Sequence, residues 1–154
     1  MHKNYENQNF DRKNFKGSLL WWAHFAMCSL KRAKFINQDL SEAGFFESNL
    51  QGANFQGSQL SGADFELCEL YYSSFLKSRA QDAIFKDCDL YGANFQGSQL
   101  QGVNFQGAEL NNANFKVANL QGANLQGSQL YGANFKGARL YGAKLEIPLP
   151  DLQV

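Results

Sequence analysis

A strict five-residue beat limits what this chain can fold into. Leu or Phe stands at every position whose number is a multiple of five from Leu20 to Phe75, and again from Phe85 to Leu145. Two residues before each beat stands a small residue, as at Ser18, Ala23, Cys28 and Ala33; between Ser18 and Ala143 only Gln38 and Val103 break that second column. Neither the 3.6-residue period of a helix nor the two-residue period of a strand generates a period of five. Self-similarity at a fixed period marks a solenoid, in which each unit buries its apolar side only against its neighbours.

The units Gln51-Gly52-Ala53-Asn54-Phe55, Tyr91-Gly92-Ala93-Asn94-Phe95 and Gln121-Gly122-Ala123-Asn124-Leu125 carry a finer pattern, small-(Asn/Asp)-(Leu/Phe) followed by two variable residues. In this the chain resembles the pentapeptide-repeat proteins, over 26 successive units from Leu20 to Leu145. The resemblance implies an all-β fold, a right-handed quadrilateral parallel β-helix. The Leu/Phe and small residues would face inward and the other three positions outward.

The residues independently favour four units per coil. Phe and Leu alternate, so like residues recur every ten positions. A fifteen-residue coil would set Phe over Leu, and a ten-residue coil has only two sides and encloses little core. A twenty-residue coil sorts Phe15, Phe35, Phe55, Phe75, Phe95, Phe115 and Phe135 into one column, and Phe25 to Phe105 into the opposite one. Stacked rings add about 0.5–1.5 kcal/mol per pair to area burial. The 28 units from Phe10 to Leu145 then make about seven coils at the usual strand spacing.

Three segments follow. Residues 1–17 read as an irregular N-terminal cap, partly disordered, because Gln8 and Lys13 stand where the repeat needs a small residue. Residues 18–145 are the β-helix. Residues 146–154 read as a C-terminal cap, where Pro148 and Pro150 cannot donate to a further ladder and Ile147 and Leu149 would lie over the last layer. The apolar run Ser18–Leu30 has the length of a secretory core, but the beat passes straight through it. No run is long enough to span a membrane as a helix.

Formal net charge is zero, which argues against a direct nucleic-acid binder. The balance conceals segregation along the chain: net +5 over residues 1–34, −7 over 35–110 and +2 over 111–154. Outward Trp21 and Trp22 suit either a lid over the open N-terminal layer or, with Met27 and Phe46, a partner-binding patch. Tyr71, Tyr72 and Tyr91 are assigned outward on one side, beside an acidic ladder of Glu69, Asp89 and Glu109. That ladder reads as a solvated face or as a ligand's counter-charge. Ala80 replaces a core Leu without loss of phase, leaving a gap that neighbours must fill.

Cys28, Cys68 and Cys88 fall on the inward small column, and an odd count on one side favours packing in a reducing, cytoplasmic setting. No metal-ligand spacing, phosphate loop or nucleophile with a base is present, so no cofactor or metal and no enzyme activity are expected. The expectation is a non-catalytic interaction or scaffold protein, a monomer or weak homodimer, that binds an unidentified protein partner through a flat face. Candidate protein-binding residues are Trp21, Trp22, Met27, Phe46, Tyr71, Tyr72 and Tyr91. The resemblance supplies the alternative of a duplex-DNA-like rod that occupies DNA gyrase and protects it from quinolones or topoisomerase toxins. That role goes with a broadly acidic surface and a C-terminal dimerising helix, neither of which this sequence shows.

Overall fold

The computed structural model describes residues 3–146. Its ladder begins with two short strands, β1 (Asn4–Glu6) and β2 (His24–Ala26), paired in parallel with Tyr5 against Phe25. Single parallel bridges then repeat the same twenty-residue step without a slip, from Asn9 with Ser29 to Asn124 with Lys144. Twenty residues in units of five give a coil with four sides, and the described residues contain no helix. No helix is therefore long and apolar enough to cross a membrane. Each side is named below by its first fully repeating beat: the Phe15, Leu20, Phe25 and Leu30 sides.

One unit shows why the beat is five. In Ala53–Gly57, Ala53 N–H closes a turn on Leu50 C=O at 2.9 Å, Asn54 N–H reaches down to Ala33 C=O, and Phe55 N–H reaches up to Ser74 C=O at 2.7 Å. Gly57 N–H also reaches up, to Leu76 C=O at 3.0 Å. That leaves Gln56 N–H, which donates to the Asn54 side-chain oxygen at 2.9 Å. All five donors are satisfied, as a polar backbone next to a dry core requires. The Asn or Asp before the beat is thus the acceptor for the one donor the ladder leaves out. The next residue but one turns the corner with positive φ, as at Gly57 (67°), Tyr72 (58°) and Val117 (53°).

The core is a column of rings. Along the Phe15 side, successive rings lie from 4.6 Å (Phe15–Phe35) to 5.1 Å (Phe95–Phe115) apart and are nearly parallel. Along the opposite side Phe45, Phe65 and Phe85 stack at 4.8 Å. The two stacks meet edge to face across the core, for example Phe65 with Phe75 at 5.7 Å and 89°. Phe sits over Phe and Leu over Leu through the middle coils, as the column argument requires, with Leu30 over Phe10 and Leu125 over Phe105 toward the two ends.

The structure refines three readings. Residues 4–17, expected to be irregular, carry the same ladder: Tyr5 stands on the beat and stacks on Phe25 at 4.9 Å, with Phe10 edge-on to both. Lys13 takes a small-residue position because no described coil lies beneath it, and its ammonium lies over the Phe10 and Phe15 rings at 4.8 and 5.2 Å. At Ala80 the ladder does not bulge; Ala80 N–H meets Gln99 C=O at 2.8 Å. Phe75 and Phe85 meet at 5.2 Å there, against 5.3 Å for Phe95 and Phe105 and 5.4 Å for Phe55 and Phe65, so the rings do not close on the gap. Ile147, Pro148, Leu149 and Pro150 lie outside the described residues, with the rest of the expected C-terminal cap.

Candidate functional site

The corner that follows the Leu30 side places an aromatic group on the surface. After Leu70 the chain turns through Tyr71 and Tyr72, and after Leu90 through Tyr91 and Gly92. Tyr72 meets Tyr71 at 6.3 Å and Tyr91 at 5.6 Å, both edge to face. Tyr72 stays 62 % exposed and Tyr91 36 %. The ring of Tyr72 needs a glycine in the coil above it. A Cβ on Gly92, itself at φ 64°, would come within 2.9 Å of two Tyr72 ring carbons. The three tyrosines surround a hollow of about 260 Å³ that Asp89 and Glu109 complete.

The carboxylates stand in register on the same side, Glu69 paired with Asp89 and Asp89 with Glu109. Asp89 accepts from Tyr91 N–H at 3.1 Å, and Asn49 donates its side-chain amide to Glu69. The ion pairs among the described residues lie elsewhere, joining Lys86 to Glu66 at 2.9 Å and to Asp87 at 3.6 Å.

The second candidate group divides between two corners. Trp21 and Trp22 turn the corner before the Phe25 side, 53 % and 47 % exposed. Met27 turns the next corner, and its N–H meets Phe46 C=O at 3.0 Å in the coil above. The whole side Ala23–Ala26 therefore separates the tryptophans from Met27 and Phe46. The exposed Leu67 shares the corner of Met27 and Phe46 and extends that stripe by a coil. An outward Leu carries no such signal in the sequence, because scattered exposed leucines are ordinary on protein surfaces. Lys13 lies over the Phe10 and Phe15 rings of the first layer.

Folding the chain at twenty residues also re-sorts its charge. The Phe15 side carries Lys13, Lys16, Lys34, Lys77, Lys116 and Lys136 and no Asp or Glu. The opposite Phe25 side carries Glu6, Glu47, Asp64, Glu66, Asp87 and Glu146 against Lys3, Lys86 and Lys144. Counting along the chain hides this, because each side recurs only once per coil.

Several inward polar residues serve the backbone, while Ser78 Oγ donates to Ser98 Oγ and buried Ser73 Oγ has no partner. Cys68 and Cys88 donate to Phe45 and Phe65 C=O, both at 2.8 Å, and Ser48 and Ser98 make the equivalent bonds to Phe25 and Phe75 C=O at 2.6 Å. Burial pushes the Cys68 and Cys88 thiols well up from the ordinary range, opposite to what a thiolate nucleophile or ligand needs. All three cysteines are free, and the described residues hold no group of three or more His, Cys, Asp or Glu placed for a metal.

Comparison with known proteins identifies the repeat family. The family described as Pentapeptide repeat region matches residues 58–135, and the one described as Pentapeptide repeats (8 copies) matches residues 28–66. No curated protein matches the chain. Among solved structures, HetL of the cyanobacterium Nostoc sp. strain PCC 7120, a pentapeptide repeat protein involved in heterocyst differentiation regulation, is 26 % identical. The match covers 91 % of this chain and 75 % of HetL, with a TM-score of 0.47. A pentapeptide repeat protein of the Arabidopsis thaliana thylakoid lumen is 28 % identical over 94 % of this chain and 70 % of its own, with a TM-score of 0.43. Full-length QnrB1, a plasmid-mediated fluoroquinolone resistance protein, is 20 % identical over 97 % and 91 %, with a TM-score of 0.49.

Proposed function

The chain belongs to the pentapeptide-repeat family, and from that premise we propose that it is a non-catalytic, cytoplasmic interaction protein, a right-handed rod of about seven coils that binds a protein partner through one flat side. The observation that carries this reading is the exposed tyrosine group of Tyr71, Tyr72 and Tyr91 on a rigid ladder. Tyr supplies large, stiff contact area with a polar tip, and it is enriched at interfaces and their energetic centres. The ladder anchors the backbone that carries them, with Tyr72 N–H on Tyr91 C=O and Gly92 N–H on Asn111 C=O, both at 2.9 Å, so little backbone freedom is lost on binding. Trp21 and Trp22 on one corner, and Met27 and Phe46 on the next, serve as smaller, separate contacts.

The duplex-like alternative is less well supported. A DNA mimic requires acidic surface around the rod, and here a complete side is lysine-bearing without a single acid. Catalysis is likewise unsupported, since Cys68, Cys88, Ser48 and Ser98 are committed to backbone carbonyls and the buried Ser73 hydroxyl has no base hydrogen-bonded to it. Three free, buried thiols suit a reducing compartment.

The test is affinity capture from lysate of the native cell with wild type and two variants. Tyr71→Gln/Tyr72→Gly/Tyr91→Gln uses residues already found at those corner positions, at Gln51 and Gly52. It is expected to lose the partner that wild type retains, while Trp21→Ser/Trp22→Ser weakens capture only in part. Equal capture by wild type and the tyrosine variant overturns the assignment of this side.

A further inference from the structure

We propose that the hollow between Tyr71, Tyr72 and Tyr91 receives an arginine side chain of the partner, with Asp89 and Glu109 as its counter-ions. The proposal rests on reading this side as a protein-interaction surface and names the chemistry it recognises.

The tyrosine hollow, rather than the carboxylates by themselves, makes the site. Tyr72 meets Tyr71 and Tyr91 edge to face at 6.3 and 5.6 Å, and all three rings line the open hollow. The negative face of an aromatic ring attracts a cation, and arginine more often than lysine exploits this. At about 260 Å³ the hollow suits one long side chain. Sites for whole small-molecule ligands run from roughly 300 Å³ upward.

Charge selects the occupant. Asp89 and Glu109 line the hollow one coil apart, and Glu69 continues the ladder below. Stacked like charges oppose each other. The described ion pairs engage Glu66 and Asp87 instead and leave this ladder without a cation within bridging distance. A planar guanidinium stacks on a tyrosine and directs its fork of donors at two carboxylates together, which a point-like ammonium does not.

The sequence also departs from its own rule to build the hollow. From Gly52 upward the corner column of Tyr72 holds Gly52, Gly92, Asn112 and Gly132, all with positive φ, so Tyr72 is its one aromatic residue. Tyr72 accepts the same backbone at φ 58°, and the missing Cβ of Gly92 gives its ring room.

The experiment is an NMR titration of the full chain, labelled with nitrogen-15, with three peptides: acetyl-Gly-Arg-Gly-Arg-Gly-amide and its lysine and citrulline counterparts. The arginine peptide is expected to saturate, with shifts centred on the amides of Tyr72, Tyr91 and Gly92. The lysine peptide should bind several-fold more weakly, and neutral citrulline should not bind. Asp89→Asn/Glu109→Gln should weaken arginine binding at least about tenfold, and Tyr72→Gly about fivefold. These variants keep the fold, because Asn49, Gln129 and Gly52 hold the same positions in other coils. Equal binding of arginine and citrulline, wild-type binding by Asp89→Asn/Glu109→Gln, or shifts away from the hollow would each overturn the proposal. If a partner is captured through the tyrosines while the arginine peptide stays silent, the arginine assignment falls and the interaction reading stands.

Discussion

Phe95 and Gln96 are neighbours in sequence and opposites in energy. Phe95 is fully buried and stacks on Phe75 at 4.7 Å and Phe115 at 5.1 Å. Gln96 lies on the corner, accepting one side-chain bond from Asn114 at 3.3 Å. Phe95→Ala is expected to cost about 3–5 kcal/mol, and Gln96→Ala to stay within about 0.5 kcal/mol. Thermal unfolding of both variants checks this, and similar losses would refute the inward and outward assignments. Ala80 is the converse case. Its column holds Leu60 below and Leu100 above, and Phe75 and Phe85 stand 5.2 Å apart, against 5.3 Å for Phe95 and Phe105 and 5.4 Å for Phe55 and Phe65, so the rings do not replace the missing isobutyl group. Ala80→Leu should therefore raise stability by about 1–2 kcal/mol, part of the ~2–5 kcal/mol that the reverse change costs in a core. A lower melting temperature would mean that the rings have closed the gap and that leucine overpacks it. The sequence exposed the gap because a single break in a strict column is visible. Whether neighbours close it depends on ring orientation, which no spacing encodes.

At the level of the repeating unit, the small column hides a hydrogen-bonding role behind a steric one. Ser and Cys alternate with Ala there, and the sequence reads all three as merely small. The structure separates them: Ser48, Ser98, Cys68 and Cys88 each donate to a beat carbonyl in the coil below. Ser48 also accepts Cys28 N–H at 3.0 Å, standing in for that unit's own turn bond. The beat, four-sidedness and ring stacking were legible because they follow from identity and spacing alone. The Tyr5 layer was not, since Gln8 and Lys13 violated the small column and masked a beat that still held. A pH prediction follows from the two deeply buried thiols. Burial raises the folded-state pKa of Cys68 and Cys88, so their contribution is complete below the unfolded thiol pKa of about 8.5. Above it the unfolded chain releases those protons and the folded chain keeps them, so stability falls as pH rises. The slope approaches about 1.4 kcal/mol per pH unit for each thiol. Cys68→Ser/Cys88→Ser retains a donor and removes the titration. Between pH 8 and pH 10, wild type should lose more unfolding free energy in urea than the serine variant. Equal losses would show that the thiols do not control the alkaline limb.

The whole molecule is neutral only as a total. Its lysine side and its acid-rich side lie on opposite flanks of the rod, because the Phe15 and Phe25 columns are two sides apart in a four-sided coil. Two copies in the same orientation can therefore meet flank to flank, the lysines of one on the carboxylates of the next. Such a contact is heterologous and does not close on itself, so it produces open rows rather than a defined dimer. The charges are exposed, and their attraction reaches only about 8 Å at physiological ionic strength but about 30 Å at 0.01 M salt. The chain is expected to be monomeric in sedimentation at physiological salt, and to form a broad, concentration-dependent distribution at low salt. Lys77→Gln/Lys116→Gln/Lys136→Gln should abolish that distribution without lowering the melting temperature, since all three side chains point outward. Trp21→Ser/Trp22→Ser should leave it unchanged, because those residues sit on a corner and carry no charge. An association that persists at high salt and vanishes with the tryptophans would reverse the ranking. It would make the aromatic corner, rather than the charged flanks, the surface through which copies of this chain meet.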